Sequence, residues 1–501
     1  MAFLDPNPKE NILDSPGSSV FDLPTQSTQA TEKNKLNDAQ FRTSGSNSHT
    51  SLAGIDASTL YQDAGPSFLV ISGGTGCNSI CSAFGNATYV LPVSDDGGSS
   101  SEIIRVIGGP SVGDIRSRLI RLIPSSPPYS PLDRIRNLLA YRLPAHASER
   151  EARDEWRDIV EGRSILWSGI PNDRKETIRG FLVYFENEVL RRAHKNFSFL
   201  NGSIGNYFIS AAQEFFRSLP SAIFLFSSIT NSQASILPVI VTNHTVTIAA
   251  ELEDGSRLVG QCEISHPILQ PSGPSITFDN EEENDGIEAS NSEDDDDLDG
   301  TINKPQNVLF EATKKDEYHP LDSKIARLYY INAYGSEIHP SPNPDYITHL
   351  GLKDVLVYSC GSLWTSIVPC LALRGVANAI ARSKSLRAKI LLLNSQNDRE
   401  TDGYSAADYI MTVVRTLNTS YQRHYVGLGD VSTLYPTSAF VTHLLYLKGT
   451  IVPVDVEQLT ILGVKCVQVE ATPPDDGKPP KFDAQNVREA ILEVLRQGDA
   501  D

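Results

Sequence analysis

The chain has few of the residues from which stapled or metal-built proteins are made. Its 501 residues include six cysteines, at 77, 81, 262, 360, 370 and 466, with no Cys-x-x-Cys pair. The length excludes a small disulfide-stapled module, and the one-turn spacing of Cys77 and Cys81 favours core packing over zinc. Ten histidines show no His-Glu-x-x-His motif and no paired spacing, which argues against a histidine metal centre. No apolar run approaches the ~18 residues of a membrane helix, so no membrane partner is expected. The opening MAFLDPNPKENILDS carries Asp5, Pro6 and Pro8 and lacks the basic start and apolar core of a secretory signal. A reduced, cytoplasmic chain is expected, and sequons such as Asn86-Ala-Thr then predict no glycan. Positive charge is also scarce, with 43 Lys and Arg against 62 Asp and Glu. Residues 279–299 hold twelve acids and no base, and residues 1–66 hold eight acids and four bases. Outside these two segments the chain is nearly neutral, so the low isoelectric point describes appendages. No nucleic-acid partner is expected.

What is present reads as an α/β protein. Residues 1–66 are rich in Ser, Thr, Asn, Gln and Pro and predict a disordered tail. Phe68-Leu-Val-Ile-Ser and Thr88-Tyr-Val-Leu-Pro-Val-Ser read as buried strands with room for a loop and a helix between them. That is a βαβ unit, and its crossover implies a parallel sheet. From 132 to 216 apolar residues recur at helical spacing (Ile178, Phe181, Leu182, Phe185, Val189, Leu190), which predicts a helical insertion. Ala222-Ile-Phe-Leu-Phe, Val239-Ile-Val and Val246-Thr-Ile-Ala-Ala-Glu read as strands, the last leading into an Asp254-Gly255 hairpin turn. The block 279–305 is expected as an acidic, solvated insert. Ile325–Asn332, Asp354–Ser359 and Lys389–Asn394 then read as further strands, with helices in 364–382 and 404–417. Residues 466–501 form an extension ending in a helix over 486–497.

Glycine-rich segments follow several of these strands. Ser72-Gly73-Gly74-Thr75-Gly76-Cys77-Asn78 lies between the first strand and a helix, either as a phosphate cradle or as a tight turn. It lacks the Gly-Lys-Ser/Thr ending of a Walker loop and the third glycine of a dinucleotide fingerprint. Asp95-Asp96-Gly97-Gly98 ends the second strand, where adjacent carboxylates suit Mg2+, a ribose hydroxyl or a solvated turn. Gly113-Asp114-Ile-Arg116-Ser-Arg118 offers Arg116 as an anion fork or as the partner of Asp114 in an ion pair. Asn201-Gly202-Ser203-Ile204-Gly205-Asn206 precedes a helix, and Gly361-Ser362-Leu-Trp-Thr365-Ser follows a strand, giving two further candidate anion loops. Ser362 lacks a nucleophile elbow and an assignable base, which argues against a serine hydrolase. Asn394 and Gln396 offer amides suited to a base or sugar, and Ser405 with Asp408 forms a capping box.

The ordered series Gly-Gly-Thr-Gly, Asp-Asp-Gly-Gly-Ser, Gly-Asp-Ile-Arg, Gly-Ser-x-Gly-Asn, Gly-Ser-Leu-x-Thr-Ser-Ile and Glu-Thr-x-Gly-Tyr-Ser-Ala-x-Asp resembles the 2-phospho-L-lactate transferase (CofD-like) superfamily over about residues 67–465. The segment around Glu400–Tyr404 is closer to the bacterial gluconeogenesis-factor (YvcK-like) branch. The resemblance implies a Rossmann-like three-layer α/β fold with a helical insertion, and an assembly that can be a homodimer. It implies a nucleoside-diphosphate ester as ligand, with Mg2+ and transfer of the phosphoester group to an acceptor hydroxyl. In the gluconeogenesis-factor branch the implied role is that of a UDP-sugar-binding regulator. Carried over by motif, Asp95 and Asp96 are the catalytic and metal residues. The ligand-binding set is Gly73, Gly74, Thr75, Gly76, Asn78, Arg116, Ser203, Gly205, Asn206, Gly361, Ser362, Thr365 and Asn394. This chain has Gly202 where many bacterial members carry histidine.

Overall fold

The computed structural model describes residues 65–74, 76–233, 235–266, 319–419, 434–471 and 479–498. The tail up to residue 64, Thr75 and the acidic block 279–305 lie outside them.

Eleven strands are present among the described residues: β1 Phe68–Ile71, β2 Thr88–Leu91, β3 Ser235–Pro238, β4 Thr247–Leu252, β5 Arg257–Val259, β6 Ile325–Ile331, β7 Glu337–Ile338, β8 Val355–Tyr358, β9 Ala388–Leu392, β10 His443–Leu447 and β11 Lys465–Val469. Seven form one parallel sheet in the order β11-β10-β9-β8-β1-β2-β3. The first three sheet strands run outward from β1 in one direction and the last four in the other. The chain therefore reverses its winding between β1 and β8, and a crevice opens there at the carboxyl ends of the strands. Every residue of β1, β2, β8 and β9 is buried, as a parallel sheet covered on both faces requires. Lys389 is admitted to β9 because its ammonium donates to the Ala439 carbonyl at 2.7 Å.

The other four strands form a separate antiparallel sheet, β5-β4-β6-β7. The Asp254-Gly255 hairpin belongs to it: Leu252 N–H donates to Ser256 O, and Gly255 sits at φ +86°. β6 does not extend the parallel sheet as expected; it pairs with β4. Its outward positions carry Arg327, paired with Glu251 and Glu337, so this strand is amphipathic rather than covered on both sides. An α/β core with a second sheet is the observed architecture.

Three other segments differ from expectation. Ala222–Phe226 is helical, within Leu219–Thr230. A five-residue apolar run suits a buried strand or a buried helix equally well. The Ser218 side chain accepts from Ser221 N–H and Pro220 stands in the first turn, and both begin a helix. The strand expected at Val239 instead ends at Pro238, although Val239 N–H still donates to Leu91 O at 2.8 Å. The helix expected over 364–382 is broken into Leu363–Ile367, Val368–Leu371 and Val376–Ala381, with Pro369 and Gly375 at the breaks.

Residues 131–216 contain the helices Pro131–Ala140, Glu149–Val160, Asn172–Arg191 and Ile204–Phe216. They close around Trp156, whose ring stacks on Phe199 and meets Phe185 and Tyr207 edge-on. The terminal helix, Ala484–Gly498, buries Val487, Ile491, Val494 and Leu495, and Arg488 donates to Ala83 O at 3.2 Å. β11 spans the boundary placed at 465 and completes the parallel sheet. No helix among the described residues is long and apolar enough to cross a membrane.

Candidate functional site

The turn after β1 is held from two sides at distances that leave no room for side chains. Gly74 N–H donates to Asp114 Oδ1 at 2.9 Å. A Cβ on Gly74 would stand 2.6 Å from Asp114 Cα, and one on Gly76 would stand 2.6 Å from Cys360 O and 2.8 Å from Gly361 Cα. The β1 turn thus contacts the start of the Gly113–Arg121 helix on one side and the loop after β8 on the other. The helix that follows it, Asn78–Phe84, is a seven-residue 3-10 helix without a side-chain cap. Its aligned dipoles are few, so any anion affinity here comes chiefly from the turn itself. Asn78 donates through Nδ2 to Ser117 Oγ at 3.1 Å, and its Oδ1 is buried without a partner.

Asp95 stands next to the same helix start, for a Cβ on Gly113 would lie 2.6 Å from Asp95 Oδ2. Its Oδ1 accepts from Gly97 N–H at 3.0 Å. Burial first, then the Asp114 and Asp96 charges, raise the Asp95 carboxyl to about 8 against the Gly97 N–H and Arg142. Burial also raises Asp114 to about 6, opposed by the Gly74 N–H and by Arg118. Asp114 Oδ2 is buried and accepts nothing. Asp96 turns elsewhere: its Oδ1 accepts from Cys262 N–H at 2.9 Å, and its other oxygen fills the space beside Gly260. The pair of carboxylates that share a space is Asp95 with Asp114, rather than the neighbours Asp95 and Asp96.

The loop before the Ile204–Phe216 helix joins this region. Ser203 caps that helix, its Oγ accepting from Asn206 N–H. Asn206 Nδ2 donates to Ser99 Oγ at 2.9 Å, which ties it to the helix after Asp95, and its Oδ1 is buried without a partner. Gly205 is a close-packing position against Leu139 O and the Arg116 side chain. At Gly202 the Tyr207 hydroxyl occupies the space a side chain would need. Arg116 makes no ion pair with Asp114. Its Nη2 donates to Leu139 O and Ala140 O at 3.3 and 2.7 Å, its Nε has no partner, and burial with the Arg142 charge lowers it to about 10. Arg142 donates to Asn201 O at 3.1 Å. Among the described residues neither guanidinium has a carboxylate at ion-pair distance, although Asp95 acts on Arg142 from farther off.

Two residues of the β8 side support the rim rather than face it. Asn394 Oδ1 accepts from Gly361 N–H at 3.0 Å and its Nδ2 donates to Gly361 O at 2.8 Å. The amide thereby holds both polar groups of a residue at φ +136°. Thr365 donates to Glu400 Oε1 at 2.7 Å, and Glu400 also accepts from the Trp364 and Thr365 N–H groups and from Ser265 Oγ. Burial and the nearby Asp398 raise Glu400 to about 7. Ser362 is half-buried. Ser405 and Asp408 form the expected capping box. Asn394→Ala should lower stability by about 1–2 kcal/mol, since it deletes two hydrogen bonds to a strained backbone residue. Urea unfolding tests this, and a neutral result would mean that Gly361 is held by other means.

A cavity of about 730 Å³ lies elsewhere, between the antiparallel sheet and the Ala406–Thr419 helix, lined by Lys324, Tyr330, Trp364 and Tyr404 among others. The glycine turns and the Asp95/Asp114 pair do not line it.

A parallel sheet whose glycine turns, carboxylates and arginines gather near the winding reversal at its centre defines an α/β protein with polar turns beyond its central strands. Residues 68–472 match the 2-phospho-L-lactate transferase CofD family, and the chain belongs to it. An uncharacterized protein of Saccharomyces cerevisiae is 33% identical over 438 residues, covering 81% of this chain and 95% of its own. A putative gluconeogenesis factor of Thermotoga maritima is 20% identical over 417 residues, covering 82% of this chain and 93% of its own. The chain stands close to that branch. The crystal structure of a UPF0052-family protein from Bacillus halodurans shares the fold with a TM-score of 0.53 at 19% identity, covering 85% of this chain and 99% of its own.

Proposed function

We propose that this protein binds a nucleoside-diphosphate ester in the Rossmann-like crevice between β1 and β8 and transfers its phosphoester group to an acceptor hydroxyl. The reading rests on one observation: Asp95 and Asp114 are buried carboxylates beside Arg116 and Arg142, and among the described residues none of the four makes a direct ion pair. A diphosphate carrying a divalent cation meets both needs at once. The donor set fits Mg2+, because Asp114 Oδ2 is buried without a partner and magnesium is usually held by one or two carboxylates with phosphate and water completing its shell. Asp95 and Asp114 would hold the ion, with oxygens of the ester and of water as its further ligands. When bound, Mg2+ would neutralise diphosphate charge and so favour departure of the nucleoside monophosphate. The chain's own contribution is orientation: the arginines attract the anion, and the Ser362 hydroxyl completes the rim.

A UDP-sugar-binding regulator without turnover is the second reading. It is favoured by relatives described as gluconeogenesis factors and by Asp96, which is committed to Cys262. Thermal unfolding of the full chain with UDP-, GDP- and adenine-containing ligands, with and without Mg2+, tests the shared claim of binding. A UDP- or GDP-ester should stabilise saturably, by about 2.7 kcal/mol at a hundredfold excess over Kd. Stabilisation by NAD alone would overturn it. Phosphorus NMR after long incubation with acceptor alcohols then separates the two readings, since intact ester means regulation.

The Mg2+ effect should depend on pH. The Asp95 carboxyl rises from 3.8 to about 8 on folding. The stability it contributes is therefore full below about pH 4 and lost as pH rises through about 8. Mg2+ competes with that proton, so apparent affinity should rise by up to about tenfold per pH unit between about pH 6 and 8. In Asp95→Asn that slope should flatten, as titration calorimetry in the presence of the ester would show.

A further inference from the structure

Beneath the glycine turn is a group of side chains that the nucleotide reading leaves unused. Arg118 is wholly buried. Its Nη2 donates to Ser72 Oγ at 3.0 Å and to Gly73 O at 2.9 Å, its Nη1 donates to Cys81 Sγ, its guanidinium lies 4.8 Å from the centre of the Tyr89 ring, and its Nε has no partner. Among the described residues no carboxylate stands at ion-pair distance, although the Asp114 carboxyl feels the Arg118 charge from farther off. A guanidinium stays charged in proteins, and burying it without an anion is costly. Of the groups it touches, only the thiol of Cys81 is placed to become that anion, because Tyr89 spends its hydroxyl proton on Cys81 O at 3.2 Å. The surroundings agree. The hydrogen bond from the Cys77 thiol and the Arg118 charge lower Cys81 from 9.0 to about 6 against its burial, whereas Cys77 itself is raised. Cys81 Sγ lies 3.3 Å from Cys77 O, the acceptor for its thiol form. Cys360 completes the set of nearby thiols, its Sγ 3.5 Å from Gly76 O.

We propose that Cys81 and Cys77 are a redox-active thiol pair that couples oxidation to the β1 turn. The Cys81 thiolate attacks one oxygen of a hydroperoxide. The O–O bond breaks, the departing alkoxide or hydroxide takes up a proton, and Cys81 becomes a sulfenic acid. The Cys77 sulfur then attacks the Cys81 sulfur, an S–S bond forms, and hydroxide leaves with the Cys77 proton as water. Two thiols lose two hydrogens and two electrons, and the hydroperoxide accepts them. The disulfide carries no charge, so Arg118 loses its counter-ion while still holding Ser72 and Gly73. The turn that Arg118 anchors is the one that changes. Loss of ligand affinity on oxidation rests on the nucleotide reading; the oxidation itself does not.

The test uses the reduced full-length chain, treated with stoichiometric hydrogen peroxide, quenched with iodoacetamide and examined by intact mass and peptide mapping. The expected result is a loss of about 2 Da and of two of the six thiols, a Cys77–Cys81 link reversed by dithiothreitol, and a rate that rises through about pH 6 rather than about 9. Cys81→Ser should abolish the link, and Cys466→Ser on the edge strand should leave it intact. The wild-type peptide map decides the matter even if Cys81→Ser does not fold. Unchanged thiols in the folded protein, or a link through Cys360, would overturn the proposal. A second arm measures the thermal shift by UDP-glucose with Mg2+, whose affinity should fall at least about tenfold on oxidation; an unchanged affinity would overturn the coupling. A disulfide that forms in a protein indifferent to every ester would count against the nucleotide reading and leave the thiol pair standing.

Discussion

Asp114→Asn is expected to stabilise the unliganded protein and to remove Mg2+-dependent ester binding. The side chain has two oxygens with different duties. Oδ1 accepts from Gly74 N–H, and the asparagine oxygen can keep that bond; Oδ2 is buried without a partner. The carboxylate is therefore kept at a cost, which burial and the neighbouring Asp95 make plain. Its carboxyl rises from 3.8 to about 6 on folding, so asparagine, which resembles the protonated form, should gain up to about 3 kcal/mol above pH 6 and nothing below about pH 4. Affinity for a Mg2+-ester should fall by at least about 100-fold, since one of two cation ligands is lost. Urea unfolding across pH and titration calorimetry measure the two effects. A variant that binds the ester as the wild type does would remove Asp114 from the site.

Gly74→Ala should cost about 2–4 kcal/mol and remove ligand binding together with stability. The added methyl would meet Asp114 at its Cα, 2.6 Å away, and at its carbonyl oxygen, 3.0 Å away. These are backbone atoms of a helix start and cannot rotate aside. Gly180→Ala supplies the contrast. It lies inside the Asn172–Arg191 helix with nothing within 4 Å of its Cβ position. There alanine should stabilise by about 0.5–1 kcal/mol through helix propensity alone. If both substitutions behave alike in urea unfolding, close approach does not account for the glycine at 74.

The parallel strands were readable because residues buried on both faces leave continuous apolar runs followed by serine and glycine, as in Phe68–Ile71 and Val355–Tyr358. The same rule misread Ala222–Phe226, where cap and proline rather than hydrophobicity decide the element. It could not foresee that Ile325–Ile331 would pair with Thr247–Leu252, because pairing joins residues more than seventy positions apart. The site divides in the same way. The glycine turns were visible as composition, but Asp114 looked only like a candidate ion-pair partner of Arg116, and nothing in the pattern marked Glu400 or Arg118 as buried. Their unusual state is burial, and burial of a charge is set by what other segments bring against it. Conversely, Asn394, Thr365 and Asp96 looked free to meet a ligand and are committed to Gly361, Glu400 and Cys262.

By itself the order of residues determined the α/β class, the family, the position of each turn at a strand end and the near-neutral charge of the folded part, because these depend on local pattern and composition. Which carboxylates share a space, which arginines lack an anion and which thiol lies against a guanidinium were decided only by the tertiary structure. Coulombic and desolvation energies depend on distance and exclusion of water, and neither has a counterpart in spacing along the chain.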